Sequence, residues 1–153
     1  MPKHREKSSN NKVKKLSTRL REKEEKILKI LEQLAQEATK GTPIIVEGKK
    51  DVETLKRLSI EGNIVQAKAG GKSFLDALSE AEKFEKEEVI LLLDFDRRGR
   101  ELMKRLKQSL EKAKIKPNIT FWRELRSIIG KEVKDVEGLA SYMETLKRRI
   151  NNS

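Results

Sequence analysis

The sequence predicts an α/β domain: about four strands in a mainly parallel sheet covered by helices, preceded by an extra helix and a basic arm. Three observations lead there. The apolar runs are continuous rather than alternating, which is what strands buried on both faces require. Amphipathic helical stretches separate them, as parallel crossovers demand. The 153 residues can build a real core, yet 35% are hydrophobic and 40% charged, so the apolar side chains must be concentrated in those few runs.

Residues 1–16 read as a flexible arm. The first 21 residues hold eight Lys and Arg and one acid, Glu6, and Ser8-Ser9-Asn10-Asn11 interrupts them, so too little apolar surface exists to fold alone. Such an arm can neutralise phosphates or serve only as a solvated tail. Residues 17–40 read as a helix, with Leu20, Ile27, Leu31, Leu34 and Ala38 on one face and Glu22/Lys26 and Glu25/Lys29 as i,i+4 pairs. Gly41-Thr42-Pro43 ends it.

The main domain is expected over 41–150. Pro43-Ile44-Ile45-Val46 forms a buried strand, and Val52, Leu55 and Leu58 mark a helix closed near Glu61-Gly62-Asn63. Ile64-Val65 begins a second strand, broken by Ala69-Gly70-Gly71. Phe74, Leu75, Leu78 and Ala81 define a helix, and Val89–Leu93 is the clearest central strand. Leu102, Met103, Leu106, Leu110 and Ala113 repeat at helical spacing. Ile119-Thr120-Phe121-Trp122 is expected as a fourth strand. Val136, Leu139, Met143, Leu146 and Ile150 give a closing helix from Asp135 onward.

Composition excludes several chemistries. With no cysteine and His4 as the sole histidine, thiolate sites, disulfides, zinc sites and Ser-His-Asp or Cys-His catalysis are ruled out. Any metal must be held by carboxylates, which favours Mg²⁺ or Mn²⁺. No apolar run approaches the ~18 residues of a membrane span, and no apolar segment follows the basic N-terminus, so a cytoplasmic protein without an export signal or a membrane partner is expected. The net charge of +11 points to a polyanionic partner such as nucleic acid.

Working residues in open α/β sheets sit at the carboxyl ends of strands, and two such ends here are acidic. The first strand runs into Glu47-Gly48-Lys49-Lys50-Asp51, the third into Asp94-Phe95-Asp96-Arg97-Arg98-Gly99. Carboxylates converging there repel one another in a low dielectric unless a cation joins them. An extended backbone through Phe95 puts Asp94 and Asp96 on one side and Phe95 on the buried side. Salt bridges to Lys49, Arg97 or Arg98 are the alternative account of these acids, and Asp51 reads as a helix-start residue. Lys68-Ala69-Gly70-Gly71-Lys72-Ser73 offers backbone N–H groups and lysines to a phosphate, or is an ordinary turn.

Two near-matches fail. Gly71-Lys72-Ser73 lacks the upstream glycine of a nucleotide-binding loop, since position 66 is Gln66. Asp94 to Arg105 lacks acids at the fifth and twelfth places of a calcium loop, held by Arg98 and Arg105.

Glu47-Gly48-Lys49 at one strand end and Asp94-x-Asp96-x-x-Gly99 at another, 47 residues on, resemble the signature of the Toprim family, a Rossmann-like catalytic domain of topoisomerases, bacterial-type primases and several nucleases. The resemblance spans about Thr42 to Trp122. It implies that Glu47, Asp94 and Asp96 are catalytic and bind Mg²⁺ (or Mn²⁺), with Glu47 as acid or base at a phosphodiester bond. Lys49, Lys50, Lys68, Gly70, Gly71, Lys72, Arg97 and Arg98 are the candidate nucleic-acid contacts. No tyrosine-bearing topoisomerase domain, ATPase module or zinc-binding cysteines accompany the motif. The expected likeness is therefore to small stand-alone archaeal Toprim proteins or to the ribonuclease that matures 5S ribosomal RNA. The expected function is a nuclease on structured RNA, favoured over DNA; the alternative is a non-catalytic nucleic-acid-binding subunit of an RNA-processing or DNA repair complex.

Overall fold

The computed structural model describes residues 2–68 and 74–152, with side chains described from Lys15 onward. Helix α1 spans Pro2–Thr39. Its helical backbone includes residues 2–16, the stretch expected from its composition as a flexible arm; no glycine interrupts this stretch, and proline is well placed in a first helical turn. From Leu20 on, Ile27, Ile30, Leu31, Leu34 and Ala38 are buried along one stripe, which docks the helix through the hydrophobic effect.

Four strands follow: β1 (Ile44–Val46), β2 (Ile64–Gln66), β3 (Glu88–Leu91) and β4 (Lys116–Asn118). They form one sheet in the order β2-β1-β3-β4, and every pair is parallel. The α/β architecture predicted from the continuous apolar runs is the one observed. Ile44, Ile45 and Val46 are fully buried, as are Val89, Ile90 and Leu91. Helices α2 (Lys49–Arg57), α3 (Phe74–Glu82) and α4 (Arg97–Lys112) make the crossovers. Right-handed connections put α2 on one face and α3 and α4 on the other. Helices α5 (Thr120–Ile129) and α6 (Val136–Asn151) complete the chain; α6 packs on α1 and α2, and α5 on α1.

The fourth strand differs from the sequence expectation. It lies at Lys116-Pro117-Asn118, and Phe121 and Trp122 belong to α5. Pro117 has no N–H to give a further neighbour, which suits the sheet edge. Asn118 Oδ1 accepts from the Thr120 N–H at 2.9 Å, satisfying a donor at the start of the helix. Phe121, Trp122, Leu125 and Ile129 are all buried and recur at helical spacing, so packing overrides the β preference of Ile-Thr-Phe-Trp.

The chain leaves β1 toward β2 on one side and returns past β1 to β3 on the other. The order therefore reverses between β1 and β3, and the carboxyl ends of these two neighbours flank a crevice.

Candidate active site

Glu47 follows β1 directly. The 67–68 segment holds its backbone, with the Ala67 N–H on Val46 O and the Lys68 N–H on Glu47 O, both at 2.8 Å. Gly48 then caps α2, and its N–H donates to Asp51 Oδ2 at 3.1 Å. Asp51 thus closes the first turn of α2, as its placement in the sequence suggests.

On the neighbouring strand, Leu92 and Leu93 remain buried beyond β3, and the Leu92 N–H reaches Ile45 O at 2.9 Å. Asp94 comes next. Its carbonyl accepts from Trp122 Nε1 at 3.2 Å. Gly99 is forced by close approach: a Cβ there would meet Asp94 O at 2.0 Å. The glycine of the Asp-x-Asp-x-x-Gly pattern lets α4 sit against the strand end. Phe95 is buried, as expected, and its N–H is bonded to Lys134 O at 2.7 Å.

Glu47 and Asp94 come together. They line a cleft of about 300 Å³ with Lys49, Lys50, Asp51, Lys68, Asp135 and Glu137. Burial pushes the Asp94 carboxyl up to about 8, helped by the Glu47 charge and a side-chain contact with Glu47, then by Asp51 and Asp135. Burial also raises the Asp51 carboxyl, opposed by the Gly48 N–H. Glu47 Oε1 is buried and has no hydrogen-bond partner among the described residues, while Oε2 is 3.7 Å from Lys68 Nζ.

Asp96 takes a different place. It is the N-cap of α4, with Oδ1 accepting from the Gly99 N–H at 2.8 Å and Oδ2 3.7 Å from Lys134 Nζ. It does not line the cleft of Glu47 and Asp94. Arg97 is paired with Glu101 at 3.2 Å, and Arg98 is exposed on the first turn of α4. Gly70, Gly71 and Lys72 lie outside the described residues. Asp135 and Glu137 were not singled out from the sequence, although two acids opening an amphipathic helix were visible there. Asp135 caps α6 through the Gly138 N–H at 2.7 Å, and this end of α6 closes one side of the cleft.

A match to the Toprim domain covers residues 41–121, and the chain belongs to the Toprim domain family. It is 38% identical over 129 residues to the UPF0292 protein of Methanosarcina barkeri, covering 83% of this chain and 87% of the relative. It is 41% identical over 120 residues to the UPF0292 protein of Methanocaldococcus jannaschii, covering 78% and 91%. A solved structure of a putative protein from Aquifex aeolicus superposes with a TM-score of 0.58 at 26% identity, covering 71% of this chain and 94% of that one.

Membership implies a nucleic-acid-related, Mg²⁺-binding function. Among the described residues, no group of three or more acids is already arranged around a metal position. The donors nevertheless fit a hard cation. Glu47 presents a buried oxygen with no hydrogen-bond partner among the described residues, and burial together with the Glu47 charge keeps the Asp94 carboxyl beside it protonated well above the usual carboxylate range. Mg²⁺ commonly takes one or two carboxylates and keeps several waters. No helix among the described residues is long and apolar enough to cross a membrane.

Proposed function

We propose that this chain is a metal-dependent nuclease acting on structured RNA, with Glu47 and Asp94 holding Mg²⁺ or Mn²⁺. The observation that carries the reading is the pair itself: two partly desolvated carboxyl groups side by side at the reversal point of a parallel sheet. A bound cation supplies charge neutralisation at the phosphate oxygens. Glu47, whose Oε1 has no hydrogen-bond partner among the described residues, is placed to hold or move a proton at the attacking water or the leaving oxygen. Lys49, Lys50 and Lys68 ring the cleft and bind the substrate backbone by charge. Asp96 orients the start of α4 and joins the metal shell only if its carboxylate leaves Gly99 and Lys134. The basic N-terminal segment adds further contacts to phosphate. Backbone and duplex recognition suits a chain with a single Trp and a single Tyr, since base stacking needs exposed rings.

The test is cleavage of labelled structured RNA and duplex DNA with Mg²⁺ or Mn²⁺. Wild type is expected to cut RNA, and Glu47→Gln and Asp94→Asn to lose activity by at least about 100-fold. No cleavage of either polymer by the wild type overturns the reading. The engagement of Asp96 with Gly99 and Lys134 favours a second reading, a non-catalytic subunit that binds nucleic acid through a metal-charged cleft. Intact binding without turnover decides for it.

A further inference from the structure

A second cleft of about 540 Å³ is lined by Phe95, the exposed face of α5 and the turn that follows it. Its charged lining is Arg123, Arg126 and Lys131 with one acid, Glu132. That acid is already engaged: Lys23 of α1 pairs with it at 3.4 Å. Among the described residues, Arg123, Arg126 and Lys131 have no carboxylate within 4 Å. Three cations gathered around one concave space repel one another, and an anionic ligand would offset that repulsion.

The cleft is also built to hold its cations in place. The Arg126 guanidinium lies over the Trp122 ring at 5.3 Å, a cation–π contact that restrains the side chain. Trp122 is itself fixed by packing on Phe95 and by its N–H on Asp94 O. Gly130 lets the turn close against the end of α5: a Cβ there would fall 2.5 Å from Arg126 O and 2.8 Å from its Cγ. A continuous chain of contacts therefore runs from the Arg126 guanidinium through Trp122 to the backbone of Asp94. Phe95, the residue after Asp94 in the chain, lines the α5 cleft.

We propose that the α5 cleft is a phosphate-binding subsite that holds the backbone of a nucleic-acid strand whose adjoining stretch lies at Glu47 and Asp94. Arg126 and Arg123 present planar forks suited to phosphate oxygens, and Lys131 adds a mobile point charge. Most of this surface lies beyond residues 41–121, the part matched to the Toprim domain, so the subsite is supplied by the C-terminal elements and positions the strand. The inference rests on the nucleic-acid reading given above.

The test is equilibrium binding of a labelled structured RNA across a salt series, using the full chain. The Arg123→Ala/Arg126→Ala/Lys131→Ala variant is compared with Lys147→Ala/Arg148→Ala/Arg149→Ala, which removes the same charge from exposed positions of α6. The first variant is expected to bind about tenfold or more weakly at moderate salt, with the slope of log K against log salt reduced by about 3, roughly one for each cation removed. Arg123→Lys/Arg126→Lys is expected to keep most of the slope, and the α6 variant to stay near wild type. Equal losses in the α5 and α6 variants, or an unchanged slope in the α5 variant, overturn the subsite. A wild type that binds no nucleic acid overturns the functional reading as well, so the two failures are distinguishable.

Discussion

Asp94 keeps its proton to about pH 8 because burial and the neighbouring Glu47 charge both disfavour its ionisation. Its ordinary value is 3.8, so between those limits the folded chain binds a proton that the unfolded chain does not. Stability must therefore fall as pH rises from about 4 to 8. Thermal melts without divalent cation are expected to show that decline, and Asp94→Asn to flatten it. A decline of equal size in Asp94→Asn contradicts the assignment. Divalent cation should reverse the trend: at pH 8 and a concentration about 100 times Kd, it stabilises the fold by about 2.7 kcal/mol. Asp135→Asn separates charge from capping. Asparagine keeps a cap acceptor for the Gly138 N–H but removes one of the charges acting on Asp94, so stability is expected to change little while the Asp94 midpoint moves down. Titration of Asp94 followed by NMR reads it.

Elements hold these residues through close contacts at strand ends. Gly99→Ala would drive a Cβ into the Asp94 carbonyl, and the strain is expected to cost at least about 1–3 kcal/mol and to displace Asp94 as well; the denaturant midpoint and metal affinity should fall together. Trp122→Phe keeps most of the packing but loses the N–H donated to Asp94 O, a loss of about 1 kcal/mol. How far the sequence foretold these elements depends on what marks them. The β1 and β3 ends were legible because unbroken Ile/Val/Leu runs stop at acids. The site at Asp96 was less so: spacing says which side of a strand a residue can face, but not that a helix start will claim its carboxylate. Ile119–Trp122 carried β-favouring residues inside a helical period, and the edge strand beside it was hidden in Lys-Pro-Asn. Asp135 and Glu137 are brought to the cleft by the docking of α6 on α1 and α2, a tertiary event that no local pattern reports.

At the scale of the whole molecule, the Toprim part supplies Glu47, Asp51, Asp94 and the lysines of the cleft, and the start of α6 adds Asp135 and Glu137. A net charge of +11 coexists with the acids gathered at Glu47, Asp94, Asp51 and Asp135. The positive field brings a polyanion in, and the acidic centre repels it unless a cation is bound. Nucleic-acid binding is therefore expected to tighten when Mg²⁺ is added at constant ionic strength, the opposite of simple competition for phosphates. Filter binding with and without Mg²⁺ checks it, and Glu47→Gln/Asp94→Asn should lose the Mg²⁺ effect.

The central claim, that Glu47 and Asp94 form one cation site, is tested most directly by calorimetric titration of Mn²⁺ into the protein at pH 6.5 and pH 8.5. Wild type is expected to bind more tightly at the higher pH, as the Asp94 proton is displaced, while Glu47→Gln and Asp94→Asn each abolish the strong site. Binding that is independent of pH and survives in both variants would contradict the account.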